Sequence, residues 1–249
     1  MPNLRIGCAG WSLPRAEASR FAAAGSHLER YASRFDAVEI NSSFHRPHRP
    51  ATYARWSASV PPSFRFSVKL PKAITHTLRL QEAGEPLAAF LREAAGLGEK
   101  LGCLLVQLPP SLSFDPPMAT VAGDFFVQLR ASIAAPAAPV ACEPRHPTWF
   151  TPEADDLLRE LAVARVAADP ARVPAAAEPG GWRGLTYYRL HGSPRTYYSA
   201  YSEEFLAALA ARLEEEAGRP VWCIFDNTTL GAATGNALDL RRRLGGETL

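Results

Sequence analysis

Short apolar runs alternate with amphipathic stretches along the whole chain. The runs fall at 4–9, 37–42, 64–69, 102–108, 139–143, 163–168, 185–190 and 221–226, each of a length that suits a buried strand. Between most of them, apolar positions recur at helical spacing. This predicts helices around 26–34, 51–58, 85–99, 118–131, 153–161, 203–217 and 231–243. Strand–helix alternation implies parallel strands joined by right-handed crossovers. Eight such units in 249 residues predict one α/β domain over 1–249, a TIM-type (β/α)8 barrel. The competing topology is a doubly wound open sheet. It calls for a Gly-rich phosphate turn after the first strand, and Gly7-Cys8-Ala9-Gly10-Trp11-Ser12 does not match one. One unit departs from the pattern. Asp169-Pro170 through Pro179-Gly180-Gly181 is too rich in Pro and Gly for a regular helix, so the helix between the sixth and seventh strands is expected to be missing or reduced.

Alternation along each strand assigns two faces. With Val38 and Ile40 toward the helices, Glu39 and Asn41 point inward. The same parity turns Arg65, Ser67 and Lys69 inward on the third strand, Gln107 on the fourth and Glu143 on the fifth. The sixth offers Arg165 and Asp169, the seventh Tyr187, Arg189 and His191, and the eighth Trp222 and Asp226. Such an interior is unusually charged, since unpaired buried charges cost several kcal/mol each. Arg5, Arg65 and Arg165 come early in their strands and are expected to form an ion plug at the bottom. The remaining polar residues come late, at the end where barrel enzymes keep their active sites.

Composition narrows the classes. With 47% hydrophobic and 21% charged residues, the chain has an ordinary globular balance. A net charge of +2 gives no whole-protein argument for nucleic acid or an anionic membrane, and no apolar run is long enough to span a bilayer. The first residues, MPNLRIGCAGWS, lack the features of a signal peptide; the expected compartment is the cytoplasm, and the expected state a monomer or dimer. Cys8, Cys103, Cys142 and Cys223 have no metal-ligand spacing and read as buried, reduced thiols. The Ala- and Pro-rich stretch at 131–139 reads as compositional bias.

Three loops carry candidate chemistry. Glu143-Pro144-Arg145-His146-Pro147-Thr148-Trp149-Phe150 puts an acid, a guanidinium, an imidazole and an aromatic wall in one turn; Arg145 suits a bidentate grip on an anion. The seventh strand runs into His191-Gly192-Ser193-Pro194-Arg195-Thr196-Tyr197-Tyr198, a long lid with Tyr198 as a ligand-stacking candidate. The eighth ends Asp226-Asn227-Thr228-Thr229, where either Thr is placed to cap the next helix. These segments, with VEINSSFHR, FRFSVKLPKAITH and LLVQLPPSL, resemble the YecE-like family, a domain of unknown function (DUF72). The resemblance runs over about the whole chain. It implies a barrel loosely grouped with sugar isomerases. It maps family motifs onto Glu39, Asn41, Ser42, Lys69, Gln107, Glu143, Arg145, His146, Trp149, Arg189, His191 and Asn227. Two positions depart from many relatives: His45 stands in place of Tyr, and Asp226 in place of Asn.

The leading expectation is an enzyme acting on a small anionic or sugar-like substrate. Glu143, Lys69 and His191 are the catalytic candidates. Glu39, Asn41, Ser42, Gln107, Arg145, His146, Trp149, Arg189, Tyr198, Asp226 and Asn227 are the binding candidates, with no cofactor. Two alternatives stay open. One is a divalent-metal isomerase or endonuclease-like hydrolase using Glu39, Glu143, Asp169, His191 and Asp226. The other is a non-catalytic ligand or nucleic-acid binder, which Arg46, His48, Arg49 and the lid tyrosines would serve.

Overall fold

The structure is a computed structural model that describes residues 3–133, 138–216 and 218–245. Residues 134–137 of the Ala/Pro stretch, and residue 217 at the end of the sixth predicted helix, lie outside the described residues. The strands are β1 (Leu4–Cys8), β2 (Ala37–Ile40), β3 (Arg65–Lys69), β4 (Leu101–Gln107), β5 (Val140–Glu143), β6 (Val163–Arg165), β7 (Ala167–Asp169), β8 (Gly180–Gly181), β9 (Thr186–Leu190) and β10 (Val221–Phe225). The helices are α1 (His27–Ala32), α2 (Pro50–Ala58), α3 (Gly84–Ala94), α4 (Pro116–Ser132), α5 (Pro152–Glu160), α6 (Glu203–Glu215) and α7 (Ala232–Arg243).

Local chemistry explains where the helices begin. Ser26 and Glu29 form a reciprocal capping box on α1, and the side chains of Asp115, Thr151 and Ser202 cap α4, α5 and α6, each satisfying an N–H that the helix cannot. Pro occupies the first turn of α2, α4 and α5, where its missing N–H costs nothing. The threonines after β10 do not cap α7. Its N-cap is Gly231, at φ 83°, with no side-chain bond. The predicted 85–99 helix divides into α3 and a 3-10 segment, Ala95–Lys100, interrupted at Gly98.

The strands form two sheets, ordered β1-β10-β9-β7 and β2-β3-β4-β5-β6-β8. All neighbours pair in parallel except β6 with β8. The sheets meet where Ala9 bridges Glu39 and the Gly10 amide donates to the Glu39 carbonyl at 2.9 Å. At the other side β7 follows β6 after Val166 alone. Gly7 permits the first junction: a Cβ there would lie 2.2 Å from the Ala37 carbonyl oxygen. The arrangement is a TIM-barrel-like α/β fold. In the sixth unit the chain makes only a 3-10 turn, Pro174–Ala177, before β8 folds back on β6. No α-helix is formed over 170–183, as the Pro and Gly content requires.

Two apolar layers result. One, between strands and helices, contains Val38, Phe66, Leu104, Val106, Cys142, Tyr188 and Phe225. The other lies on the opposite face of the strands and contains Cys103, Leu105, Ala141, Ala164, Val166, Tyr187, Trp222 and Ile224. This second layer corrects the sixth strand. Ala164 and Val166 take the inner face, so Arg165 turns outward, pairs with Asp155 of α5 at 2.8 Å and lies over the Phe150 ring. Asp169 also faces away, accepting the Tyr201 hydroxyl at 2.8 Å. The expected ion plug is absent among the described residues. Arg5 donates to the carbonyls of Asp36 and Ser63, and Arg65 to those of Pro62 and Phe64. Each guanidinium takes backbone partners at the strand entrances, and Arg5 adds a 4.0 Å ion pair with Asp36.

Candidate functional site

The C-terminal strand ends carry one ionic cluster centred on Arg189, the fourth residue of β9. Its guanidinium is 0% exposed. Nε donates to Glu39 Oε2 at 3.0 Å, Nη2 to Glu39 Oε1 at 2.6 Å and to Asp226 Oδ2 at 3.1 Å, and Nη1 to Glu143 Oε2. Three carboxylates from three strands thus surround one cation. The buried Tyr187 hydroxyl donates to Glu39 Oε2 at 2.9 Å and sits 2.9 Å from Ser67 Oγ. Burial alone would lower the Arg189 pKa, but Glu143, Glu39 and Asp226 raise it well above its ordinary value. Arg189 is one of the binding candidates of the sequence. Its depth and full engagement make it the hub of an internal network.

Glu143 ends β5 and is saturated by donors. Besides Arg189, it accepts Gln107 Nε2 at 2.8 Å, Arg145 Nε and Nη2 at 3.2 Å, and faces His191 Nε2 at 2.8 Å. Burial pushes its carboxyl up, but Arg189, Arg145 and His191 together take it well below the usual range. Asp226 is likewise held low: burial raises it, and Arg189 with His191 more than reverses that. His191 lies between the two acids, with Nδ1 3.0 Å from Asp226 Oδ2. Its pKa is raised because Glu143 and Asp226 outweigh the opposing effect of burial. Asn41 donates weakly to Asp226 Oδ1 at 3.4 Å.

Above this floor the chain leaves a cavity of about 190 Å³ lined by Glu143, Arg145, Ala168, Arg172, His191 and Thr196, among others. Arg145 also donates from Nη1 to the Tyr197 hydroxyl at 3.0 Å. Tyr197, at φ 69°, lays its ring edge-on to His191. Arg172 makes no ion pair or side-chain hydrogen bond among the described residues.

Lys69 stands apart. It ends β3, is 6% exposed, and its Nζ lies 4.1 Å from the Phe44 ring centroid. Among the described residues the amine has no hydrogen bond and no ion pair. Burial, then Arg189, lower its pKa to about 8 against the pull of Glu39, Glu143 and Asp226. His76 packs edge-on against Phe44 at 5.0 Å and is lowered to about 4 by burial and by Lys69, Lys72 and Arg145. His76 lies on a π-helical turn, Ala73–Thr77, a rare geometry often found at functional sites.

The structure therefore gathers Glu39, Asn41, Gln107, Glu143, Arg145, Arg189, His191 and Asp226, with Lys69 beside them. It does not bring in several others. Trp149 is fully buried, donates to the Leu112 carbonyl at 2.8 Å and packs on Phe114; it belongs to the core. His146 Nδ1 accepts the Thr148 amide and caps the Pro147–Phe150 turn. Asn227, fully buried, donates to the Ser199 carbonyl and Asn236 Oδ1, both at 2.9 Å, tying the lid to α7. Ser42 pairs with His48 at 2.8 Å on the β2 rim, and Tyr198 stacks under Arg195 at 3.7 Å. Arg172, Thr196, Tyr197 and Phe44 were missed as site residues. Their signal was position alone, on loops that follow strands.

The donor set does not fit a divalent cation. Glu39, Glu143 and Asp226 converge, but on the Arg189 guanidinium, which fills the space between them. Among the described residues, no three His, Cys, Asp or Glu side chains are grouped to hold a metal.

Residues 5–249 match the family described as "Protein of unknown function DUF72". The chain belongs to the DUF72 family. The UPF0759 protein YecE of Escherichia coli is 28% identical over 154 residues, 60% of this chain and 54% of that one, so the chain spans about half the length of this curated relative. A crystal structure of a DUF72 family protein from Enterococcus faecalis superposes with a TM-score of 0.80 at 22% identity, covering 99% of this chain and 97% of the other. An AP endonuclease of family 2 from Brucella melitensis gives 0.58 at 17%, covering 93% and 96%. D-psicose 3-epimerase from Clostridium cellulolyticum gives 0.56 at 10%, covering 97% and 96%. At these identities the likeness concerns the fold. No helix among the described residues is long and apolar enough to cross a membrane.

Proposed function

We propose that this DUF72 chain is an enzyme acting on a small anionic or sugar-like substrate bound over the Arg189 network. The two sheets are read as one closed eight-stranded barrel, with β6 and β7 as halves of a single strand. The bridge of Ala9 with Glu39 and the one-residue step at Val166 support that reading. The observation that carries the function is the cavity itself. Arg172, without a carboxylate partner among the described residues, lines it together with Arg145 and Thr196. Two arginines lining one small space favour a ligand carrying negative charge.

The geometry divides the chemical roles. Glu143 is a poor proton acceptor near neutral pH, because its oxygens already take donors from Gln107, Arg145, Arg189 and His191. It serves as the anchor that aims Arg145 into the cavity. Lys69, lowered to about 8, and His191, raised above its ordinary value and lining the cavity, are the candidates for general acid–base chemistry. The fold likeness to an epimerase barrel agrees with this reading by analogy only.

Thermal melting in phosphate against chloride at equal ionic strength tests it. Phosphate at about ten times its Kd should add about 1.4 kcal/mol by mass action, or about 3–6 °C for a chain of this size. Arg145→Ala and Arg172→Ala should each abolish that increment and leave the fold intact. Equal stabilisation by phosphate and chloride would sink the proposal.

A further inference from the structure

We infer that the loops after β1, β2 and β3 form a second binding surface at the strand ends, and that its ligand is single-stranded nucleic acid. Exposed cations meet the phosphates, and half-buried aromatic rings among them take the bases. The inference goes beyond the small-anion reading, because none of these residues lines the cavity of Arg145 and Arg172.

Charge is segregated along the chain. Residues 40–81 hold seven Lys and Arg and three of the six His, with no Asp or Glu. The rest of the chain has 20 cations and 25 acids, so a strongly basic stretch sits in a protein whose net charge is only +2. The local sign sets the field that a polyanion meets. The fold sends two parts of this stretch to the C-terminal strand ends: 41–49, between β2 and α2, and 70–81, after β3. Arg46, Arg49 and Lys72 lie on them, and Arg15 lies on the loop after β1. All four are exposed, and none makes an ion pair or a side-chain hydrogen bond among the described residues. On the helices the opposite holds: Arg159 pairs with Asp156, Arg212 with Glu178 and Arg243 with Glu203.

Rings lie among these cations. Trp11 and Trp56 meet edge to face at 5.0 Å, and His48 packs on Trp56 at 5.1 Å. Phe44 contacts His45 and His76, each at 5.0 Å. Ser42 bonds His48 at 2.8 Å, so one short loop carries both groups of rings. Trp11, Phe44, Trp56 and His76 are half-buried, and His45 is exposed. Packing fixes the rings while part of each stays in solvent. Cations alone would take any polyanion. Rings interleaved with them favour one whose charges alternate with flat π-surfaces, which is a nucleic-acid strand with its bases unpaired. A duplex hides those surfaces in its own stack. Four unpaired cations offer four phosphate contacts, for which log K should fall against log salt with a slope of about −3.

Fluorescence anisotropy tests this on the whole chain, with labelled oligothymidylate and oligouridylate of twelve nucleotides and a duplex of the same length. At least one strand should bind about tenfold or more tightly than the duplex, with a Kd that rises about fiftyfold between 50 and 200 mM KCl. The double variant Arg46→Glu/Arg49→Glu should weaken binding about tenfold or more and flatten the salt slope. Phe44→Leu should weaken it about tenfold through lost stacking and leave the slope unchanged; Trp56→Leu serves the same purpose if Phe44→Leu does not fold. Arg183→Glu, exposed before β9 at the opposite strand ends, should have no effect. No binding of either strand below about 100 μM at 50 mM KCl, or a duplex bound as tightly as the strand, overturns the inference. So does full affinity in both ring variants. Displacement of the strand by an equal concentration of poly-glutamate also overturns it, and makes the surface one for acidic protein. The phosphate-specific rise in melting temperature should persist in Arg46→Glu/Arg49→Glu. Its loss there would merge this surface with the cavity and end the claim to a second site.

Discussion

The centre of the strand ends and their rim use the same residue types to opposite ends. At the centre Arg189 has four donor contacts to three carboxylates and no solvent exposure. At the rim Arg172 has no carboxylate partner among the described residues, and Arg145 keeps 18% of its side chain exposed. A buried cation with every donor used is part of the scaffold, because removing it strands the acids around it. A cation without a partner adds little to the fold and is open to a ligand. The difference separates what holds this site together from what it offers. Arg189→Met should therefore give the largest effect of any change here. Breaking a buried ion pair costs about 3–5 kcal/mol, so urea unfolding should show a loss of that order and the melting temperature should fall by roughly 10 °C. Arg172→Ala, at an exposed position, should change stability by less than about 0.5 kcal/mol. Similar losses for the two variants would erase the distinction between centre and rim.

The strand parities account for how much of this was legible. On β2 and β9 the two faces differ plainly in polarity, and on β4, β5 and β10 an otherwise apolar inner face ends in one polar residue, so Glu39, Gln107, Glu143, Arg189 and Asp226 could be turned inward from the sequence. On the sixth strand both faces are small and apolar, Ala164 and Val166 against Val163 and Ala167, and the presence of Arg165 and Asp169 tipped the choice to the wrong face. The register shows the physical reason: Ala141 pairs with Ala164 and Cys142 with Arg165, so parity on β6 is inherited from β5. Depth was the other thing alternation does not supply. It turns Arg189 inward, and the loop after β5 carries Arg145 to the same end of the strands, but neither sets one beneath the other with Glu143 shared between them. Trp149 and Asn227 sit in candidate loops yet spend their polar atoms on local backbone and on α7, a choice set by side-chain rotamers.

A smaller effect sharpens the boundary between floor and cavity. Each ring nitrogen of His191 faces a carboxylate oxygen, at 2.8 and 3.0 Å, and only the doubly protonated imidazolium donates to both. Burial works against that charge, but Glu143 and Asp226 raise the folded pKa above its ordinary value. The stabilising contribution is then fully present below the unfolded His pKa of about 6.5 and is lost as pH rises through the raised folded value. Urea midpoints should therefore decline for the wild type, relative to His191→Gln, as pH is taken upward from 6. A wild-type midpoint that climbs relative to the variant over that interval would show His191 to be neutral in the folded chain, and the floor to carry one positive charge fewer.

The smallest expected effect concerns the thiols, and it asks whether the scaffold beneath the site is closed. Cys8, Cys103, Cys142 and Cys223 are all free and buried. Burial pushes the Cys8 thiol up to about 12, with Tyr31 and Thr234 pulling the other way, and burial raises the other three further. Since the thiolate is the reactive form, native protein treated with iodoacetamide at pH 7.5 should show none of the four modified by intact mass, and all four after unfolding. Cys142 is the informative one. It directly precedes Glu143 but faces the helices, so a reagent can reach it only if β5 parts from that layer. Its modification without unfolding would mean that the strand carrying Glu143 opens in the native state. The Arg189 network would then be a mobile element of the site, and the contrast between a fixed centre and an available rim would no longer hold.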